Sequence, residues 1–132
     1  MPAAVERYVL VVEDDPALRE LYRSSLRVAG YAVVAVSDGI DALRRVERER
    51  PDAVVLDLGL PRLNGRDVHR ELRSAPDTKD IPIVVVSGSD TSDLNPDDFA
   101  CVLRKPISAD ALLVAVQNCI RRAWRTAENP SA

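Results

Sequence analysis

The sequence predicts a doubly wound α/β fold, in which a five-stranded parallel sheet is covered by helices on both faces. Short β-branched runs alternate with longer stretches in which apolar residues recur every three or four positions, as in repeated strand–helix units. Several of the short runs are continuously apolar, as expected where both faces of a strand are buried. The 132 residues, 46% of them hydrophobic, are enough for one domain with a sizeable core.

Five strands are expected from the short apolar runs, and the central runs show the pattern most clearly. The runs lie at about Tyr8 to Val12, Ala32 to Val36, Ala53 to Leu56, Ile83 to Val86 and Cys101 to Leu103. Such runs, bounded by polar residues, glycine or proline, are typical of strands in a parallel sheet.

Four helices are expected between and after these strands. The first has an apolar face with spacings of three and four, and Gly30 follows as a residue suited to helix termination; the face consists of Leu18, Leu21, Tyr22, Leu26 and Ala29. The second runs from about Gly39 to Glu49 and the third from about Gly65 to Ser74, each with a short apolar face. The last begins after Ser108, a favourable N-cap, and has a long apolar face.

The interval between the fourth and fifth strands lacks a helical pattern. Residues Ser89 to Ala100 are mostly polar, and Leu94 and Phe99 are the only candidate anchors for a core contact. We expect a loop with about one helical turn, so that the helix at this place is short or absent. We expect residues 1–132 to form one domain with a core of about 7–125 and a polar tail at 126–132.

Composition excludes several classes of function. The net charge is −3 and basic residues form no block, so neither nucleic acid nor a membrane surface is expected as a direct partner. No apolar run approaches the roughly 18 residues of a membrane span. Cys101 and Cys119 lack the spacing of a metal or redox motif, and we expect reduced thiols in a cytoplasmic protein.

Polar residues follow four of the expected strands. Glu13 and Asp14 follow the first, Asp57 the third and Lys105 the fifth, while Ser87 ends the fourth. Ligands of open α/β sheets bind beyond the carboxyl ends of the strands. These groups should therefore meet at one edge of the sheet.

The predicted cluster suits phosphoryl transfer assisted by a divalent cation. Three carboxylates held close together repel one another unless a cation lies among them, and Mg²⁺ prefers oxygen ligands. One of the carboxylates could then attack phosphorus and form an acyl phosphate. Lys105 and Ser87 would neutralise and hydrogen-bond the phosphoryl oxygens.

Four segments, in order and at matching intervals, resemble the receiver domain of response regulators in two-component signalling, over about residues 7–125. The segments are Val11 to Pro16, Val54 to Gly65, Val84 to Gly88 and Leu103 to Pro106. The resemblance is to the single-domain type similar to chemotaxis regulators. It implies a flavodoxin-like sheet with strand order 2-1-3-4-5.

The resemblance also implies a role for each residue of the cluster. Asp57 would accept a phosphoryl group from a histidine kinase or a histidine phosphotransfer protein. Asp14, Asp57 and the Gly59 carbonyl would bind Mg²⁺ directly, with Glu13 acting through water. Lys105 would pair with the phosphoryl group, and its peptide bond to Pro106 would be cis. Ser87 would move toward the phosphoryl group. The resemblance therefore implies a phosphoacceptor signalling domain and not an enzyme. It leaves open whether the domain phosphorylates and dephosphorylates itself.

Two departures from the family pattern bear on output. The family usually has an aromatic residue three positions before the lysine, where this chain has Val102. The interval from Ser87 to Lys105 is also shorter than is usual in the family. Its segment Ser89 to Ala100, attached directly after Ser87, is our candidate for the element that moves on activation. Because the sequence ends one helix after the fifth strand, we expect no effector domain and an unknown downstream protein as the target.

Other functions remain open at this point. The chain could be a receiver-like interaction domain that works without phosphorylation. A metal-dependent phosphohydrolase with Asp57 as nucleophile is disfavoured because Gly59 stands where a second acid would be needed. No glycine-rich phosphate-binding motif follows the first strand, which disfavours a nucleotide site. His69 is expected to be an exposed residue without a chemical role.

Overall fold

The computed structural model describes residues 7–88 and 91–128, the last three of these by their backbone only. Five strands and four α-helices alternate along the chain: β1 (Tyr8–Val12), α1 (Pro16–Val28), β2 (Ala32–Val36), α2 (Gly39–Arg48), β3 (Ala53–Leu56), α3 (Gly65–Ser74), β4 (Ile83–Ser87), β5 (Cys101–Arg104) and α4 (Ala109–Glu128). The strands form one parallel sheet in the order β2-β1-β3-β4-β5. The predicted fold class and strand order are confirmed.

The sheet is covered on both faces because alternate residues of β1 point to opposite sides. Leu10 and Val12 pack with residues of α2 and α3, whereas Val9 and Val11 pack with residues of α1 and α4. All four side chains are fully buried. Burying one such side chain stabilises the fold by about 1.5–3 kcal/mol, so both layers depend on this central strand.

Strand register brings the carboxyl ends of the strands to one level. Val12, the last residue of β1, lies opposite Val36 of β2 and Leu56 of β3. The Glu13 N–H donates to the Val36 carbonyl at 3.1 Å, and the Asp57 N–H donates to the Val12 carbonyl at 3.0 Å. The backbone that follows each strand is thus tied to the neighbouring strand.

Helix ends follow the capping residues in the sequence. Asp15 caps α1 by accepting from the N–H groups of Ala17 and Leu18, and Pro16 is the first helical residue. Because a proline favours the first turn, the helix begins at Pro16, ahead of the apolar face that starts at Leu18. At its other end Gly30 has φ of +104°, a conformation that side chains disfavour.

The last helix begins as predicted. Ser108 Oγ accepts the Ala111 N–H at 3.0 Å, which confirms Ser108 as the N-cap of α4. The helix extends through Glu128, into the residues expected to form a polar tail, and residues 129–132 lie outside the described part. Near its end Trp124 lies under the Arg7 guanidinium, 3.4 Å from the ring centroid, so α4 contacts the start of β1.

The β4–β5 connection contains no α-helix in its described part, residues 91–100. A single 3₁₀ turn, Pro96–Asp98, is its regular structure, in agreement with the prediction that the helix is short or absent. Phe99, a residue of this connection, is buried, and its ring centroid lies 4.4 Å from that of His69 on α3. The prediction that His69 is exposed is wrong, because this stacking leaves the imidazole half-buried.

Two expectations about the chain as a whole concern membranes and thiols. Within residues 7–88 and 91–128, no helix has both the length and the apolar character that a bilayer span requires. Cys101 and Cys119 are free thiols, as expected. Burial raises the pKa of Cys119 to about 11, which makes it a poor nucleophile at neutral pH.

Candidate functional site

The side chains predicted to cluster do meet at the carboxyl edge of the sheet, which we call the rim. Glu13 and Asp14 follow β1, Asp57 follows β3, Ser87 ends β4 and Lys105 follows β5. Each is placed by a strand that is hydrogen-bonded to its neighbours. The positions of these side chains are therefore fixed by the register of the sheet.

The three acids of the rim lie close enough to share a cation. One carboxylate oxygen from each of Glu13, Asp14 and Asp57 lies within 4.8 Å of the others. Glu13 and Asp57 are 1% and 7% exposed, whereas Asp14 is exposed. The cluster thus has a buried side and an open side through which a ligand could enter.

Lys105 lies between the two buried acids. Its Nζ is 2.6 Å from Glu13 Oε1 and 3.4 Å from Asp57 Oδ2. Burial alone would lower the pKa of Lys105, but the two carboxylates outweigh it and the pKa is raised. The ammonium group is therefore charged throughout the neutral range.

The pKa of Glu13 lies well above its usual value. Burial, together with the nearby Asp57, raises the pKa of Glu13 to about 7, although Lys105 opposes the change. Lys105 Nζ lies 2.6 Å from Oε1, and no other donor among the described residues reaches this buried oxygen. One ammonium group thus leaves this carboxylate incompletely compensated.

The pKa of Asp57 is lowered, whereas that of Glu13 is raised. Burial would raise its pKa, but the Gly59 N–H, the carboxyl group of Glu13 and the charge of Lys105 together lower it. The Gly59 N–H donates to Asp57 Oδ1 at 3.0 Å. Asp57 is therefore ionised at neutral pH, with Oδ2 directed toward Lys105.

Ser87 and Lys105 are joined through the backbone of adjacent strands. The Lys105 N–H donates to the Ser87 carbonyl at 2.8 Å, and Ser87 is 1% exposed. The peptide bond between Lys105 and Pro106 is cis, as the resemblance implied. Ser87 thus lies at the rim beside the strand that supplies the ammonium group.

The loop after Asp57 is held by close backbone packing. A side chain at Gly65 would overlap the Asp57 carbonyl oxygen and the Leu58 Cα, so only glycine fits there. Arg62 has φ of +64° and its guanidinium donates to Asp38 at 3.0 Å, which fastens the loop to the N-cap of α2. Gly59, two residues after Asp57, is exposed.

The residues present fit a divalent cation that prefers oxygen ligands. Three carboxylates face a single ammonium group, and among the described residues Lys105 is the one cationic group in contact with the buried oxygen of Glu13. Burial, with a smaller contribution from Asp57, raises the pKa of Glu13, and a cation among these oxygens would stabilise the ionised carboxylate. The chemistry of this donor set matches that of Mg²⁺ sites, which use few carboxylates and retain several waters.

Sequence reasoning missed one residue next to this cluster. Arg19 of α1 donates from Nη1 to the carbonyl oxygens of Glu13 and Asp14, at 3.1 and 3.3 Å. A cation near the N-terminus of a helix is unfavourable for the helix dipole. That unusual placement is the signal in the sequence that could have indicated Arg19.

Comparison with known proteins agrees with this geometry. Residues 9–117 match the family described as the response regulator receiver domain. The chain is 42% identical over 121 residues to the response regulator MprA of Mycobacterium leprae, an alignment that covers 86% of this chain and 51% of MprA. The chain thus spans about half the length of the curated relatives it matches.

Solved structures give the same result. The receiver domain of the sensor histidine kinase PA1611 from Pseudomonas aeruginosa, with a magnesium ion in its active-site cleft, superposes with a TM-score of 0.79 and 30% identity, covering 89% of this chain and 99% of that one. A CheY-like receiver domain from Methylobacillus flagellatus gives 0.76 and 32%, covering 87% and 99%. Together with the matched family and the acidic rim, these similarities show that the chain belongs to the response regulator receiver domain family.

Proposed function

We propose that this receiver domain accepts a phosphoryl group on Asp57, in a Mg²⁺-dependent reaction, from a histidine kinase or a histidine phosphotransfer protein. The observation that supports this most strongly is the state of Asp57. Its carboxylate is ionised, lies among two further acids and has one oxygen directed toward Lys105. An anionic nucleophile next to a cation is what attack on phosphorus requires.

The proposed reaction assigns a step to each rim residue. An Asp57 oxygen attacks phosphorus, the new O–P bond forms as the N–P bond of phosphohistidine breaks, and the released imidazole takes up a proton. Lys105 neutralises charge on the transferred group, and Ser87 donates a hydrogen bond to it. Asp14, Asp57 and the Gly59 carbonyl would hold Mg²⁺, with Glu13 acting through water. The bound cation supplies further charge neutralisation.

The proposed output is contact with a downstream protein in the cytoplasm. A phosphoryl group adds about −1.5 to −2 charges at the rim. The β4–β5 connection follows Ser87 directly along the chain, and we propose that it moves when Ser87 turns toward the phosphoryl group. A coupling of about 1–3 kcal/mol would change partner affinity by roughly 5- to 150-fold. The chain would act as a signalling domain and not as an enzyme.

Phosphoryl incorporation can be measured directly. The protein is incubated with Mg²⁺ and a small phosphodonor such as acetyl phosphate, and its intact mass is recorded. We expect an adduct of about 80 Da in the wild type and in Asp110→Asn, a matched control at an exposed acid of α4. The adduct should be absent from Asp57→Asn and from samples with excess chelator. Equal adducts in Asp57→Asn and wild type would place the chemistry at another residue.

A second candidate function is a receiver-like interaction domain that works without phosphorylation. It is favoured by Val102 at the family's usual aromatic position and by the lack of an α-helix in the described part of the β4–β5 connection. Under this alternative, partner binding would be the same with and without Mg²⁺ and phosphodonor. Phosphodonor-dependent binding that is lost in Asp57→Asn would exclude it.

A further inference from the structure

Arg19 holds the backbone between β1 and α1, where two of the three clustered acids lie. Its Nη1 donates to the carbonyl oxygens of both Glu13 and Asp14, at 3.1 and 3.3 Å. Hydrogen bonds from a charged donor are stronger than those between neutral groups. One guanidinium group therefore fixes two consecutive peptide units of the rim.

Glu13 and Asp14 differ in how much other support they have. Glu13 donates its N–H to Val36, accepts from the Asp15 N–H at 3.2 Å and pairs with Lys105. Asp14 is exposed, and within residues 7–88 and 91–128 its carboxylate has no hydrogen bond or ion pair. The bond from Arg19 to its carbonyl is the one hydrogen bond that Asp14 makes in this part of the chain.

Arg19 also differs from the next arginine of the same helix. Arg23 forms two hydrogen bonds with Glu20, at 2.6 and 2.8 Å, as is typical of a surface ion pair. Arg19 has no carboxylate partner among the described residues and is directed to backbone carbonyls instead. Its position on α1 thus serves the loop that precedes the helix.

We propose that Arg19 is a positioning residue for the divalent-cation site, and that it acts by fixing the direction of the Asp14 carboxylate. This inference rests on the proposed function. Mg²⁺ requires nearly ideal octahedral geometry, so its ligands must point in a fixed direction. The Asp14 carboxylate has no hydrogen bond within the described residues, so its direction depends on the backbone that Arg19 holds. Residues that orient metal ligands in this way typically account for about 10- to 100-fold in metal affinity.

The first test measures metal affinity without any phosphodonor. Mn²⁺, which shares the preference of Mg²⁺ for oxygen ligands, is titrated into the protein and its free fraction is read by electron paramagnetic resonance. We expect Arg19→Ala to weaken Mn²⁺ binding about 10-fold relative to wild type. Arg23→Ala, which removes an arginine one turn further along α1, should bind as the wild type does. Arg19→Gln replaces Arg19→Ala if the alanine variant does not fold.

The second test asks whether Arg19 acts through Asp14. In the background of Asp14→Ala, removing Arg19 should change Mn²⁺ affinity by less than about twofold, because the side-chain oxygens that it orients are gone. A purely structural role would lower the thermal unfolding midpoint of both backgrounds without this dependence. Equal 10-fold losses in the two backgrounds, or unchanged affinity in Arg19→Ala, would overturn the inference alone. A wild type that binds neither Mn²⁺ nor Mg²⁺ would overturn the proposed metal site together with it.

Discussion

The rim and the β4–β5 connection are both attached to β4, yet they are built in different ways. The rim consists of side chains placed by strand ends that are hydrogen-bonded to one another, and three of its residues are buried or nearly so. In its described part, residues 91–100, the connection is mostly exposed and contacts α3 through a few side chains, among them Phe99 with His69 and Asp93 with Arg66 at 3.0 Å.

In this receiver domain the sheet fixes the positions of the rim residues, whereas the β4–β5 connection depends on its own side-chain contacts. A change at the rim alters backbone that is hydrogen-bonded between neighbouring strands, whereas a change in the connection mainly alters side-chain contacts such as those with α3. We therefore expect mutations to have larger effects at the rim, and effects in the connection should leave the rim intact.

The largest effect is expected for Gly65→Ala. The added methyl group would overlap the backbone of Asp57 and Leu58, which cannot move aside as a flexible side chain could. We expect a loss of about 4 kcal/mol in the free energy of unfolding, measured by urea denaturation. Gly59→Ala is the matched control, because its methyl group would meet no atom closer than 3.9 Å, and it should cost less than about 1 kcal/mol. Equal stability of the two variants would contradict this account of the rim.

A smaller effect is expected for Phe99→Ala in the connection. Phe99 is 9% exposed and stacks on His69, so its truncation removes buried apolar area and one ring contact. We expect a loss of about 3 kcal/mol in urea denaturation, and a smaller loss for Phe99→Leu. The affinity for Mn²⁺ should not change in either variant. A parallel loss of metal affinity would mean that the connection and the rim are not independent.

The smallest effect is expected from the protonation of His69. Burial and the nearby Arg73 lower the pKa of His69 below its usual 6.5, although Asp98 opposes this. The unfolded chain then binds a proton more readily than the folded one, so stability falls as the pH drops below about 6.5 toward the folded-state pKa.

The contribution of His69 can be isolated because it is the only histidine in the sequence. Its ring protons give a single NMR titration, which should show a midpoint below 6.5. Glu13 changes stability in the opposite direction over the same pH range, so the comparison is between wild type and His69→Gln at pH 7.5 and 5.5. An NMR midpoint above 6.5, or an identical pH dependence in both proteins, would contradict the prediction.

The positions of site residues could be predicted from the sequence where strands determine those positions. Glu13, Asp57 and Lys105 each follow an apolar run, and parallel strands must bring such positions to one edge. The sequence was less informative where a contact joins distant segments. The half-buried state of His69 depends on Phe99, thirty positions away in a segment without a periodic pattern, and the role of Arg19 depends on the direction of two carbonyl groups. Local patterns do not encode either contact.

The contact between Arg7 and Trp124 has a practical consequence for handling the protein. It places the beginning of β1 and the later part of α4 together, at the edge of the sheet opposite Asp57. A five-residue strand spans about 16 Å. An affinity tag or fluorescent protein fused near either of these points would therefore attach away from the acidic cluster. On a sensor chip coupled through such a tag, the open side of that cluster would face the flowing solution.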